Sequence, residues 1–91
     1  MASALEISTS GLVAGFSDTG QGVIGASNTV GVLGQSGSGR GGRFRGLKAQ
    51  IKLDPSTATN HPTSGQRGDL FVDKGGRLWF CKGGTTWKQI A

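Results

Sequence analysis

Short apolar groups recur along the first half of the chain at an almost constant distance. They read Val13-Ala14-Gly15-Phe16-Ser17, Val23-Ile24-Gly25-Ala26-Ser27 and Val32-Leu33-Gly34-Gln35-Ser36. In register they share G-V-x-G-x-S, with Leu12 replacing the first glycine of the first copy. A degenerate fourth unit follows as Gly42-Arg43-Phe44-Arg45-Gly46. Self-similarity at a short fixed period marks an array that stacks one small unit. A helix does not fit, because glycine interrupts every apolar pair and the spacers Asp18–Gln21, Asn28–Val30 and Gly37–Arg40 are turn-formers. Units this short cannot bury a face alone. The pattern therefore predicts a β-prism-like or β-helix-like stalk in which identical chains wrap a common axis. Val13, Val23, Ile24, Val32 and Leu33 would line that axis and Phe44 would plug its end. Glycine would supply positive φ at the corners and let three backbones approach closely.

The pattern changes after residue 46. Leu47, Ala49, Ile51 and Leu53 alternate with Lys48, Gln50 and Lys52, the period of a half-buried strand, ended by Asp54-Pro55. Residues 55–68 are rich in Ser, Thr, Asn, Gly and Pro and predict a loop, with a solvated His61 at its middle. The remainder predicts a three-stranded meander: Asp69–Asp73, a turn at Lys74-Gly75-Gly76, Arg77–Cys81, a turn at Lys82-Gly83-Gly84, and Thr85–Ile90. Trp79 and Trp87 are the largest side chains and are expected to anchor the core of this region. The expected organisation is a lead-in over 1–10, a repeat stalk over 11–46, and a strand-and-meander cap over 47–91.

Composition explains why the core must be shared. The chain has 91 residues, 18 of them glycine, and only 34% hydrophobic residues. A chain this short is marginal as a monomer, and each glycine costs backbone entropy while contributing no side chain to bury. Little room remains for an enzyme's cleft. Ten Lys and Arg against five acidic residues give a formal charge of +5, which suits an anionic partner but also keeps a β-prone surface soluble. The single cysteine, Cys81, can form neither an intrachain disulfide nor a cysteine metal cluster, and is read as a buried thiol. The N-terminal residues lack the basic and apolar regions of a signal peptide, and no apolar run approaches the ~18 residues of a membrane span. Membrane insertion is not expected.

The meander G-D-L-F-V-D-K-G-G-R-L-W-F-C-K-G-G-T-T-W-K-Q-I-A, Gly68–Ala91, resembles the C-terminal hairpin module of phage tail-fibre and related bacterial surface-repeat proteins. The G-V-x-G-x-S array, closing with G-R-G-G-R-F-R-G at Gly39–Gly46, is similar to the Gly-rich repeats ahead of such modules. The resemblance implies an all-β, intertwined homotrimeric stalk with a trimeric β-meander cap. It also implies a place in a virion or on an extracellular appendage. On this reading Val13, Val23, Ile24, Val32, Leu33, Phe44, Ile51, Leu53, Trp79 and Trp87 form the trimer core. The chain's partners are then itself and upstream fibre segments or a cell-surface polyanion.

Sharper motifs give way to plainer readings. Gly20–Gly25 and Gly37–Gly42 both satisfy G-x-G-x-x-G, but neither is set to open a helix, and a Gly-rich repeat yields such matches by chance. Arg67-Gly68-Asp69 spells an adhesion tripeptide, with Gly68 placed to make a turn into a strand. The carboxylates Glu6, Asp18, Asp54, Asp69 and Asp73 are scattered, so no acid pair or metal cluster stands out, and neither an enzyme nor a cofactor is expected. The alternative to a structural module is a basic binding tip in which Arg40, Arg43, Arg45 and Lys48 contact a polyanion and Phe44 stacks on a base. Nucleic acid is the less favoured of those partners, since Phe44 alone is available to stack.

Overall fold

The computed structural model describes residues 14–91. Val13, with the start of the first repeat and the lead-in, lies outside the described residues. The chain divides into two units, residues 1–42 and residues 43–91.

The described part of the first unit is a regular succession of extended pieces and bends, without strand or helix. Bends fall at 18–20, 28–29 and 37–39, each directly after the serine of a repeat. That serine has a defined role. Ser17 Oγ accepts the Gly20 N–H at 2.9 Å, Ser27 Oγ accepts the Thr29 N–H at 3.3 Å, and Ser36 Oγ accepts the Gly39 N–H at 2.9 Å. A hydroxyl bonding a backbone amide two or three residues on closes a turn without a backbone–backbone bond.

The repeat glycines act through close approach. A Cβ on Gly15 would strike the Gly22 carbonyl, one on Gly25 the Gly31 carbonyl, and one on Gly34 the Gly41 carbonyl. In the reverse direction, a Cβ on Gly22, Gly31 or Gly41 would lie 2.9 Å from the carbonyl oxygen of its partner. Contrary to the expectation of left-handed corners, none of these glycines has positive φ. The glycine pairs are required because one chain folds back on itself there.

The second unit carries an antiparallel sheet of three strands, β1 (Leu70–Val72), β2 (Leu78–Gly83) and β3 (Thr86–Gln89), in the order β1-β2-β3. The chain is all-β in this sense, and no helix occurs among the described residues. Leu70, Phe71 and Val72 face Phe80, Trp79 and Leu78, while Trp79, Phe80 and Cys81 face Gln89, Lys88 and Trp87. The first hairpin turn begins at Asp73, whose carbonyl accepts the Gly76 N–H at 3.0 Å. Gly76 follows at φ 86, the left-handed residue that ends a three-residue hairpin loop. The second turn sits later than the sequence suggests. β2 continues through Gly83 over a bulge, and Gly84 (φ 58) with Thr85 makes a two-residue turn of the kind that puts glycine first.

The predicted half-buried strand at 47–53 is not formed. Residues 47–53 are all exposed and irregular, and Leu47, Ile51 and Leu53 have no layer to pack against within the chain. Alternation selects a strand only where a partner edge and a buried face exist, and here a single chain offers neither. The loop over 55–68 is largely as expected but is not merely solvated. Ser56 N–H donates to the Val72 carbonyl and Lys74 N–H to the Ala58 carbonyl, covering one end of the outer edge of β1. Gly65 N–H donates to the Gly84 carbonyl at 2.8 Å.

Candidate functional site

Two sets of residues stand out, one in each unit. The first is the apolar repeat set. Val23 is 71% exposed and Leu33 79%, and Ile24 and Val32 are equally bare. Nothing within the chain covers them. The backbone tells the same story: from residue 14 to residue 55 no backbone–backbone hydrogen bond is formed among the described residues. Buried or assembled backbone must satisfy its N–H and C=O groups, so this segment is arranged for water or for other chains.

The second set lies under the sheet of the cap. Its centre is Asp73, whose side chain is wholly shielded from solvent. Oδ1 accepts the N–H groups of Gly75 (2.9 Å) and Arg77 (3.1 Å), and Oδ2 accepts Arg77 Nε (2.7 Å) and Trp79 Nε1 (2.9 Å). The Trp79 indole N–H, followed by the Arg77 amide and guanidinium, holds the Asp73 carboxyl at about 2 against an ordinary 3.8, although burial acts in the opposite direction. Arg77 also donates through Nη2 to the Thr59 carbonyl, at 2.6 Å, and its guanidinium lies 5.3 Å from the centre of the Trp79 ring. One carboxylate thus ties together the first hairpin turn, β2 and the loop.

His61 departs from its expected solvated state. Its ring stacks on Trp87 at 5.3 Å and meets Trp79 edge-on at 4.5 Å, with Phe71 edge-on to Trp87 at 6.3 Å. Its Nδ1 lies 2.6 Å from the Pro62 carbonyl. Gly65 passes so close beneath Trp87 that a Cβ there would lie 2.6 Å from Cζ2 and 3.2 Å from Cys81 Sγ. Cys81 is completely buried, as its place in the meander predicts. Trp79 and Trp87 are half-buried, and Trp87 Nε1 is out of reach of water with no hydrogen-bond partner.

The basic segment is only partly gathered. Arg43, Phe44, Arg45 and Gln50 line a shallow recess in the second unit, with Phe44 62% exposed. Lys48 is exposed and outside that lining, and Arg40 belongs to the first unit. Arg67-Gly68-Asp69 forms a tight turn in which Asp69 N–H donates to the Gln66 carbonyl and Asp69 Oδ2 accepts the Gln66 N–H, so the carboxylate is already engaged. No group of three metal-ligating side chains, and no helix long and apolar enough to cross a membrane, occurs among the described residues.

Sequence reasoning missed Asp73 and His61. The signal for Asp73 was D-x-G-G at a hairpin turn, where Asp bonds the amide two residues on. Nothing in the sequence marks His61, which meets the tryptophans only through the path of the loop. Comparison with known families, with curated proteins and with solved structures finds no match.

Proposed function

We propose that this chain is a structural module of a fibre: three copies trimerise through the Gly-rich array, and the meander caps and ends the stalk. The observation that carries the reading is the array's combination of a regular trace, bare apolar side chains and a backbone without backbone–backbone hydrogen bonds among the described residues. Regularity of this kind is not held by one chain in water, because its conformational entropy cost is opposed by almost no burial. Further copies supply both the missing backbone partners and the missing core. Three is the smallest ring in which each array has a neighbour on either side through the same head-to-tail contact. The module then belongs in a virion or an extracellular appendage. Light scattering on a size-exclusion column tests this directly. A mass three times 9.3 kDa is expected, and a mass of 9.3 kDa at all concentrations would refute the trimer.

A second reading follows from the recess at Phe44, where an exposed aromatic ring stands with two arginines. It makes the segment a polyanion-binding tip. Binding of that kind weakens steeply with salt. Titration with labelled single-stranded RNA and DNA at about 150 mM salt separates the two readings. Submicromolar binding lost in the Arg43→Ala/Arg45→Ala variant would favour the tip over the structural module.

A further inference from the structure

Two elements of the second unit lack the partner that their pattern suits. One is the segment 47–53, which alternates Leu47, Ala49, Ile51 and Leu53 with Lys48, Gln50 and Lys52 yet stays exposed and irregular. The other is the outer edge of β3. Ile90 N–H donates inward to the Leu78 carbonyl at 2.8 Å, so the alternation of an antiparallel pair turns Lys88 toward β2 and the N–H and C=O groups of Trp87 and Gln89 outward. Those outward groups make no backbone–backbone hydrogen bond among the described residues. The segment cannot reach that edge in its own chain. Ser56 N–H donates to the Val72 carbonyl, which fixes the start of the loop beside β1, on the far side of the sheet from β3. From there to the outside of β3 is four strand spacings, roughly 19 Å, whereas the three residue steps from Leu53 to Ser56 span about 11 Å at most.

We propose that residues 47–53 of one copy add as a fourth strand to the outer edge of β3 in a neighbouring copy. The inference rests on the trimeric reading above and names the segment and the edge that join two copies. Two constraints fix the register. Burial sends the apolar side of the segment to the face that carries Trp87, against which His61 stacks and Gly65 passes, and half-buried Trp87 has ring surface left to cover there. Charge then selects among the registers of that parity. Gln50 opposite Lys88 keeps the lysines apart, whereas a shift of two residues sets Lys48 or Lys52 directly against Lys88. Ala49 and Ile51 thereby stand opposite Trp87 and Gln89, whichever way the added strand runs. In a closed ring every copy donates one strand and receives one, which covers the open edge of each β3.

The Gln50→Cys/Lys88→Cys variant tests the pairing, because both positions are exposed and directly opposite residues on adjacent strands lie within disulfide range. After treatment with a mild thiol oxidant, non-reducing gels are expected to show chains joined covalently up to the trimer. The Gln50→Cys/Gln89→Cys control, whose second thiol lies on the other face, is expected to stay at the single-chain mass. A Gln50→Cys/Lys88→Cys variant that is oligomeric in light scattering, with native emission of Trp79 and Trp87, yet stays at the single-chain mass on the gel would overturn the pairing and leave the trimer standing. Equal cross-linking of the control would also overturn the pairing. A monomeric wild type would overturn both. Should the variant lose its native emission, hydrogen exchange of the wild-type oligomer decides the matter. Protected Trp87 and Gln89 amides support the added strand, and free exchange at both overturns it. Cys81, being buried, is not expected to react.

Discussion

The array and the cap use glycine and short polar residues alike, yet they reach order by different means. In the cap, one chain supplies both sides of its contacts. β2 has a partner on each edge, Asp73 is filled with donors from its own turn and from Trp79 of β2, and His61 is held by two tryptophans. In the array, local turns are complete, with serine hydroxyls closing each bend, but no layer forms behind them. The difference shows that a repeat can encode a regular path without encoding a core. The unit that closes its own hydrogen bonds is a candidate for independent stability, and the unit that does not is a candidate for assembly.

The largest effect is expected from placing charge on the array's apolar stripe. In the proposed trimer, Val23→Asp or Ile24→Asp would bring like charges together between copies and should dissociate or unfold the assembly, read as loss of the trimeric mass. An unchanged mass and melting temperature would show that these side chains face water in the working protein. Deleting residues 47–91 probes the comparison from the other side. The array should then be monomeric with a disordered circular dichroism spectrum, and a folded trimer after the deletion would make the array self-sufficient.

Gly25→Val comes next, since its side chain would meet the Gly31 carbonyl and Val32 Cγ2. Backbone cannot yield as a flexible side chain can, so this substitution should lower assembly stability by roughly 1–3 kcal/mol, measured by thermal melting of the oligomer. In the cap, Gly65→Ala should destabilise by a similar roughly 1–3 kcal/mol, because Trp87 and Cys81 fill the space. It should leave the oligomeric mass unchanged at temperatures where the cap stays folded.

The acid limb of stability distinguishes the cap again. The Asp73 carboxyl titrates near 2 when folded and near 3.8 ordinarily, so the unfolded state binds the extra proton. The stabilisation from Asp73 is therefore complete above about pH 4 and is lost as pH falls through about 2. Asp73→Asn should flatten that part of the pH profile of the melting temperature. The smallest effect is expected at Lys52 and Asp54, a 3.5 Å ion pair with both side chains almost fully exposed. Lys52→Ala should shift stability by about 0.5 kcal/mol or less.

Much of the cap was legible because its signals are local. Paired glycines beside Asp73 and after Lys82 announced two hairpin turns, and β-branched and aromatic residues announced the strands between them. The second turn was placed early because three consecutive residues, Lys82-Gly83-Gly84, all permit a turn, and the bulge at Gly83 decided among them. The strand expected at 47–53 failed for the opposite reason. Its alternation is cleaner than that of β2, but alternation states only which side would be buried, and no described residue brings an edge to pair with it.

The sequence by itself determined the period of the array, the serine-closed bends, the all-β character and the hairpin turns, since each depends on residues within a few positions of one another. The tertiary structure decided what depends on distant meetings. It placed His61 between two tryptophans, turned Asp73 into the knot of the cap, and set glycine against glycine across each bend of the array. It also laid the loop at Gly65 against Trp87 and Cys81, because residues this far apart in the chain meet only through the path of the loop.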